Sequence, residues 1–236
     1  MLSLCSPLWE AADMQPRYAR NIPALTKEEC LLLQEKKVLV VGCGGLGGHI
    51  IDQLSRIGVG FLRVCDGDVF EASNLNRQLL SRVPLLGTSK AKAAADHVSK
   101  INPDITVEAV EAFMTRQKVH ALIKDCDIVL DALDNIPSRR LLAAACSDAG
   151  IPYVYGAIQG WVAQAAISMP GDHLIEKLFP QEVEIQDKSV LSFTPALCAS
   201  VQVSLCVKLL TGRPVEPGKI FYYDLLNMEF EEIPML

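Results

Sequence analysis

A glycine cluster, Gly42-Cys43-Gly44-Gly45-Leu46-Gly47, directly follows the apolar run at residues 38–41. Its spacing is G-x-G-x-x-G with an extra glycine at position 45. Each glycine has a physical reason. Gly42 permits a tight turn, Gly44 and Gly45 let backbone approach a phosphate, and Gly47 lets a helix pack against a strand. The helix that starts here offers free N–H groups and a partial positive charge to an anion. Such a turn suits the pyrophosphate of a dinucleotide and the triphosphate of ATP equally. Asp66, 24 residues after Gly42, ends the next apolar run. A carboxylate there meets a ribose hydroxyl, which both ligands carry.

The following stretch separates the two chemistries. Residues 66–103 read DGDVFEASNLNRQLLSRVPLLGTSKAKAAADHVSKINP. They carry Asp68, Asn74, Arg77, Gln78 and Lys90, where a simple dinucleotide domain passes straight into a helix. Asn74 and Gln78 can hydrogen-bond, and Arg77 can grip phosphate oxygens with two parallel bonds. Lys90 opens a helix and adds its charge to that helix N-terminus. Two cations around one cradle suit a triphosphate better than a dinucleotide; singly, each is also an ordinary surface charge. Further on, DIVLDALDN places Asp131 and Asp134 after another apolar run. A carboxylate facing phosphates needs a cation between them, and Mg2+ binds through one or two carboxylates plus phosphate oxygens. Asp134 is the metal-side carboxylate on this reading, and Asp131 is left open as a strand-end structural group.

The elements that must hold these residues alternate along the chain. Thr26 and Glu29 have capping-box spacing, so a helix runs over 27–36. Strands are expected at 38–41, 61–66, 106–110, 128–131 and 153–156, with helices at 46–57, 89–101, 119–125 and 137–148. This series predicts an α/β fold: a doubly wound, Rossmann-like, mainly parallel sheet covered by helices on both faces. The pattern then changes to a strand ending in Pro170-Gly171, a polar irregular stretch at 171–192, an apolar helix at 194–210 and a closing antiparallel hairpin. Residues 1–25 read as irregular. With no repeat or linker, residues 1–236 read as one domain: an N-terminal arm and helix at 1–36, and a substrate-side loop at 171–192.

Composition narrows the setting. Half of the 236 residues are hydrophobic, and the formal net charge is −6. That charge disfavours a general nucleic-acid surface. No uninterrupted apolar run reaches membrane-spanning length, and no signal-peptide pattern stands at the N-terminus, so the expectation is a cytoplasmic protein without a membrane contact. The eight cysteines include no CxxC pair. They read as small core hydrophobes.

Taken together, RYARN, GCGGLG, DGD, SNLNRQ, GTSKA, INP and LDALDN, in that order, resemble the ThiF/MoeB/HesA adenylyltransferases, relatives of the ubiquitin-activating enzymes. The likeness runs from Arg17 to the final hairpin. It implies a doubly wound sheet with added antiparallel strands and a symmetric homodimer. The substrates it implies are Mg-ATP and the C-terminal Gly-Gly carboxylate of a ubiquitin-like sulfur carrier of the ThiS/MoaD kind. By motif, Asp66 would hold the ribose, Asn74, Arg77 and Lys90 the phosphates, and Asp134 the Mg2+. Arg20, the second arginine of RYAR, would reach into the partner subunit's site as an arginine finger.

Two departures matter. The paired CxxC motifs that hold zinc in many relatives are absent, so no zinc is expected. The 171–192 loop has no cysteine, and Cys198 just beyond it lies in an apolar helix, which points to adenylation without covalent transfer. The loop is short, which leaves a small carboxylate or a peptide C-terminus as an alternative substrate. An NAD-binding oxidoreductase and a non-catalytic nucleotide-binding scaffold are the alternatives from other classes.

Overall fold

The computed structural model describes residues 15–181 and 189–235. Residues 1–14, most of the expected N-terminal arm, and residues 182–188 of the expected loop lie outside the described residues. The elements in chain order are α1 (Lys27–Gln34), β1 (Lys37–Val41), α2 (Gly45–Ile57), β2 (Phe61–Cys65), α3 (Lys90–Ile101), β3 (Thr106–Val110), α4 (Val119–Ile123) and β4 (Ile128–Asp131). Then follow α5 (Ile136–Ala149), β5 (Tyr153–Gln159), β6 (Val162–Ser168), α6 (Leu174–Leu178), α7 (Phe193–Leu210), β7 (Lys219–Asp224) and β8 (Glu229–Pro234).

One sheet of eight strands has the order β3-β2-β1-β4-β5-β6-β7-β8. The first five are parallel to their neighbours, and β5 to β8 pair antiparallel. Alternation along the strands splits the core in two. Val38, Val40, Leu62 and Val64 face a layer with α1, α2, α3 and α7. Leu39, Val41, Val129 and Tyr153 face α4, α5 and α6. Strands buried on both faces read as continuous apolar runs, which is why β1, β2 and β4 are visible in the sequence.

Local signals set the helix ends. The Thr26 hydroxyl accepts from the Glu29 N–H at 3.2 Å, while the Glu29 carboxylate accepts from the Thr26 N–H at 2.7 Å. Gly58 and Gly150 close α2 and α5 in the left-handed conformation.

Two expectations are corrected. The arm is not irregular throughout: Pro16–Asn21 forms a 3-10 turn. The 171–192 stretch contains α6. The 18-residue α7 is long and apolar enough to cross a bilayer by length and composition alone. More than half of it is buried in the fold, packed on α2, β5 and β6 as a core helix.

Candidate active site

Chain reversal between β1 and β4 opens a crevice at the carboxyl ends of the strands, where doubly wound sheets bind ligands. A cavity of about 390 Å3 lies there. Its lining follows the strand order: residues 112–114 beyond β3, Asp66 to Asp68 beyond β2, the glycine turn beyond β1, residues 132–135 beyond β4, and Ala157 and Ile158 of β5. Arg77, Gln78 and Lys90 close it from the β2–α3 connection. A wider groove of about 900 Å3 between α4, α5 and α6 holds none of the motif residues.

The turn is fixed by sterics. Gly42 has φ of +102°, and a Cβ there would lie 2.5 Å from the Ala132 carbonyl oxygen. A Cβ on Gly47 would lie 1.8 Å from the Gly42 oxygen. Gly44 and Gly45 differ: a Cβ on them would meet Gln78 at 3.5 Å and Arg77 at 3.6 Å, filling the space between turn and connection without a clash. These two glycines keep that space open. The first two therefore shape the backbone and the second two clear room for a ligand.

Asp66 ties the turn to β2. Its carboxylate accepts from the Cys43 N–H at 2.7 Å and from the Asp68 N–H at 2.8 Å. Lys90 is buried with its ammonium 3.2 Å from the Asp68 carboxylate. Arg77 donates to the Ser73 carbonyl and the Asn76 side chain, and its outer face borders the cavity. Gln78 is buried, and its Oε1 has no hydrogen-bond partner although its amide borders Gly44. A buried acceptor left single beside a cavity is a place for a donor from a ligand.

Two predicted residues stand elsewhere. Asn74 does not line the cavity; its side chain accepts from the Glu71 N–H at 3.0 Å and shapes the connection that carries Arg77. Arg20 is exposed at the end of the 3-10 turn, outside this chain's own cavity. The rest of RYAR explains its placement. Tyr18 is buried against Gly58, and its hydroxyl accepts from the Asn102 amide at 2.7 Å. Arg17 donates to the Asn102 side-chain oxygen and lies 3.6 Å from Asp104. RYAR and INP thus anchor each other and leave Arg20 projecting with no bond among the described residues.

The two aspartates after β4 take opposite roles. Asp131 is fully buried; Arg139 donates to it at 3.0 Å, the Leu133 N–H at 2.8 Å, and the Tyr153 hydroxyl as well. Burial pushes its carboxyl above the usual range, and the Arg139 charge opposes that shift. It is a structural group, the option the sequence left open. Asp134 is exposed on the cavity wall, and among the described residues its side chain accepts from the Asn135 amide at 3.2 Å.

Sequence reasoning missed several lining residues. Arg139 is buried, and besides Asp131 it binds the carbonyls of Gly156 (2.7 Å) and Leu133. Its position on the helix after LDALDN was the available signal. Phe113, Met114, Phe179 and Val190 add apolar walls. No local pattern marks them.

The cradle and charges fit ATP: open space at Gly44 and Gly45, and the cations Arg77 and Lys90. Among the described residues there is no cluster of three or more His, Cys, Asp or Glu side chains that could hold a metal. Asp134, exposed on the same cavity as the glycine turn, would hold Mg2+ together with phosphate oxygens.

Comparison with known proteins agrees. A model of the ThiF family matches residues 18–235. The SAMP-activating enzyme E1 of Haloferax volcanii is 40% identical over 233 residues, covering 94% of this chain and 86% of that protein. The molybdopterin-synthase adenylyltransferase of Escherichia coli is 32% identical, covering 86% and 85%. The probable adenylyltransferase/sulfurtransferase MoeZ of Mycobacterium tuberculosis is 34% identical, and this chain spans 59% of its length. Among solved structures, E. coli MccB with ATP superposes with a TM-score of 0.82 over 96% of this chain and 73% of that one, at 20% identity, a likeness of fold. The glycine turn therefore belongs to adenylyl transfer and not to hydride transfer: the chain belongs to the ThiF family, and its activity is that of an adenylyltransferase.

Proposed function

We propose that this chain adenylates the C-terminal Gly-Gly carboxylate of a ubiquitin-like sulfur carrier, using Mg-ATP and releasing pyrophosphate. The observation that carries the reading is the layout of the cavity. With ribose at Asp66 and phosphates at the glycine turn, the base falls toward Phe113 and Met114. The end at β5 is then free for a second reactant. Relatives named for SAMP activation and for molybdopterin synthase support a small protein as that reactant.

The incoming carboxylate is already a nucleophile, so attack on the α-phosphorus needs no general base. The chain's work is positioning and charge neutralisation. Turn N–H groups and Arg77 hold phosphate oxygens. Lys90, released toward the cavity from Asp68, adds a second cation on the side where pyrophosphate leaves. Asp134 would hold Mg2+, which when bound neutralises further charge on the phosphates. Arg20 is exposed and does not line its own chain's cavity, which suits a finger into the second subunit of a homodimer. A cytoplasmic enzyme remains our reading of its location.

The test is ATP–pyrophosphate exchange with small carriers ending in Gly-Gly, repeated with Asp134→Ala. Carrier-dependent exchange that collapses in the variant supports the reading. Exchange with a small carboxylate or short peptide alone sinks the carrier, and full exchange in Asp134→Ala sinks the metal assignment. For the finger, Arg20→Ala and Arg77→Ala proteins, each inactive, are mixed: heterodimers regain one intact site if Arg20 acts across the interface, and none if it acts within its own chain.

A further inference from the structure

The β5 end of the cavity is walled by Ala157, Ile158, Phe179 and Val190. Ala157 and Ile158 lie on the sheet, whereas Phe179 follows α6 and needs other supports. Its carbonyl accepts from the Arg140 guanidinium, which also holds the Gln181 carbonyl at 3.0 Å. The Phe179 ring meets the Tyr155 ring edge-on with centroids 6.4 Å apart. Tyr155 is itself buried beneath the Arg139 guanidinium, 5.0 Å from its ring centre. Val190 is held by Asn76, which donates to its carbonyl at 3.2 Å, and the neighbouring Ser189 carbonyl accepts from Gly160 N–H at 2.8 Å. Phe179 and Val190 are thus each held by polar contacts from residues that do not line the cavity.

We infer that Phe179, held in place by Arg140, is the specificity-determining wall of the acyl end, and that it restricts the substrate to an extended tail whose last two residues lack side chains. The inference rests on the reading that a carrier tail enters at β5, and it adds which residue measures that tail. Phe179 and Ile158 line the same end of the cavity, and on this inference the space between them admits backbone alone. A methyl group on the last or penultimate residue would press on the ring, and the two hydrogen bonds from Arg140 to the Phe179 and Gln181 carbonyls resist displacement. Arg140 touches no substrate and acts through Phe179; it is a positioning residue.

The test measures kcat/KM for exchange with one carrier in two forms, ending in Gly-Gly and in Gly-Ala, for the unaltered protein, Phe179→Ala, Phe179→Leu and Arg140→Gln. The unaltered protein should prefer Gly-Gly by about 10-fold or more, the discrimination one misplaced methyl brings in a fitted apolar site. Phe179→Ala should lower that ratio at least fivefold, mainly through a lower KM for the Gly-Ala form, and Arg140→Gln should lower it in the same sense. Phe179→Leu, which keeps bulk, should retain most of the preference and serves if the alanine variant does not fold. An unchanged ratio in folded Phe179→Ala and Arg140→Gln overturns the wall, as does loss of preference in Phe179→Leu equal to that of Phe179→Ala. Absence of exchange by the unaltered protein with every Gly-Gly carrier overturns the carrier reading instead.

Discussion

The two ends of the cavity are built by different means. The nucleotide end is made of backbone: a glycine turn whose atoms leave no room for side chains at 42 and 47, pinned by one carboxylate, Asp66, 23 residues away from the N–H it accepts. The acyl end is made of side chains from distant elements, with Arg140 reaching 39 residues to Phe179 and Asn76 reaching 114 residues to Val190. The first end depends on backbone and tolerates little change. The second can change one side chain at a time, which is where, on the proposed reading, specificity for the carrier would reside. Between them, in one short segment, Asp131 ends β4 and Asp134 follows it on the cavity wall.

That segment yields the largest predicted effects. Asp131→Ala leaves Arg139 buried without its counter-charge and should destabilise the fold by about 3–5 kcal/mol, read as a lowered midpoint in urea. Asp134→Ala should leave the midpoint within about 0.5 kcal/mol, because its side chain is exposed. Its exchange rate should fall by about 10²–10³, the scale of losing one preorganised electrostatic group. If both variants lose stability together, the division of labour between the two aspartates is wrong.

Within the glycine turn the contrast sharpens to single atoms. Gly47→Ala places a Cβ inside the Gly42 carbonyl oxygen. The turn must move, so both stability and exchange should fail, the latter by about 10²-fold for a shift near 1 Å. Gly44→Ala meets only ordinary contact at 3.5 Å. It should fold normally and raise the KM for ATP roughly tenfold, since the methyl takes phosphate space. Equal damage from both substitutions would mean that Gly44 serves the turn and not the ligand.

What the sequence disclosed follows the same division. The parallel strands, most helix ends and the glycine turn depend on neighbours a few residues apart, so periodicity, Thr26, Gly58 and Gly150 reveal them. Gly42, Lys90 and Asp134 were legible as a group because each opens or follows an element whose end points to one edge of the sheet. Asn74 could not be placed from the sequence, because an amide that caps its own turn looks the same on paper as one that faces a ligand. Arg139 carried only its place on the helix after LDALDN as a signal, and Phe179 and Val190 were illegible because their roles arise from contacts across the fold. The short helix α6 lacks the length that would make its period visible, and α7, apolar on most sides, shows its partners only once folded.

The smallest predicted effect concerns the thiol beneath the acyl end. Cys198 is fully buried, with its sulfur 3.2 Å from the Gln164 carbonyl oxygen and 3.7 Å from that of Ala157. Burial pushes its thiol up to about 12. Because the shift is upward, the thiolate is scarce at neutral pH and increases as pH rises: at pH 8 roughly one in ten thousand is ionised, far too few for a nucleophile. Alkylation of the folded protein at Cys198 should therefore be undetectable at pH 8, with any residual rate rising about tenfold per pH unit. Cys198→Ala should keep carrier-dependent exchange within about twofold, with a loss of no more than about 1 kcal/mol for the missing sulfur. A carrier adduct that survives denaturation, is released by thiols and disappears in Cys198→Ala would reverse this. The acyl end would then be a site of covalent transfer, and the contrast between a fixed nucleotide end and a merely selective acyl end would no longer hold.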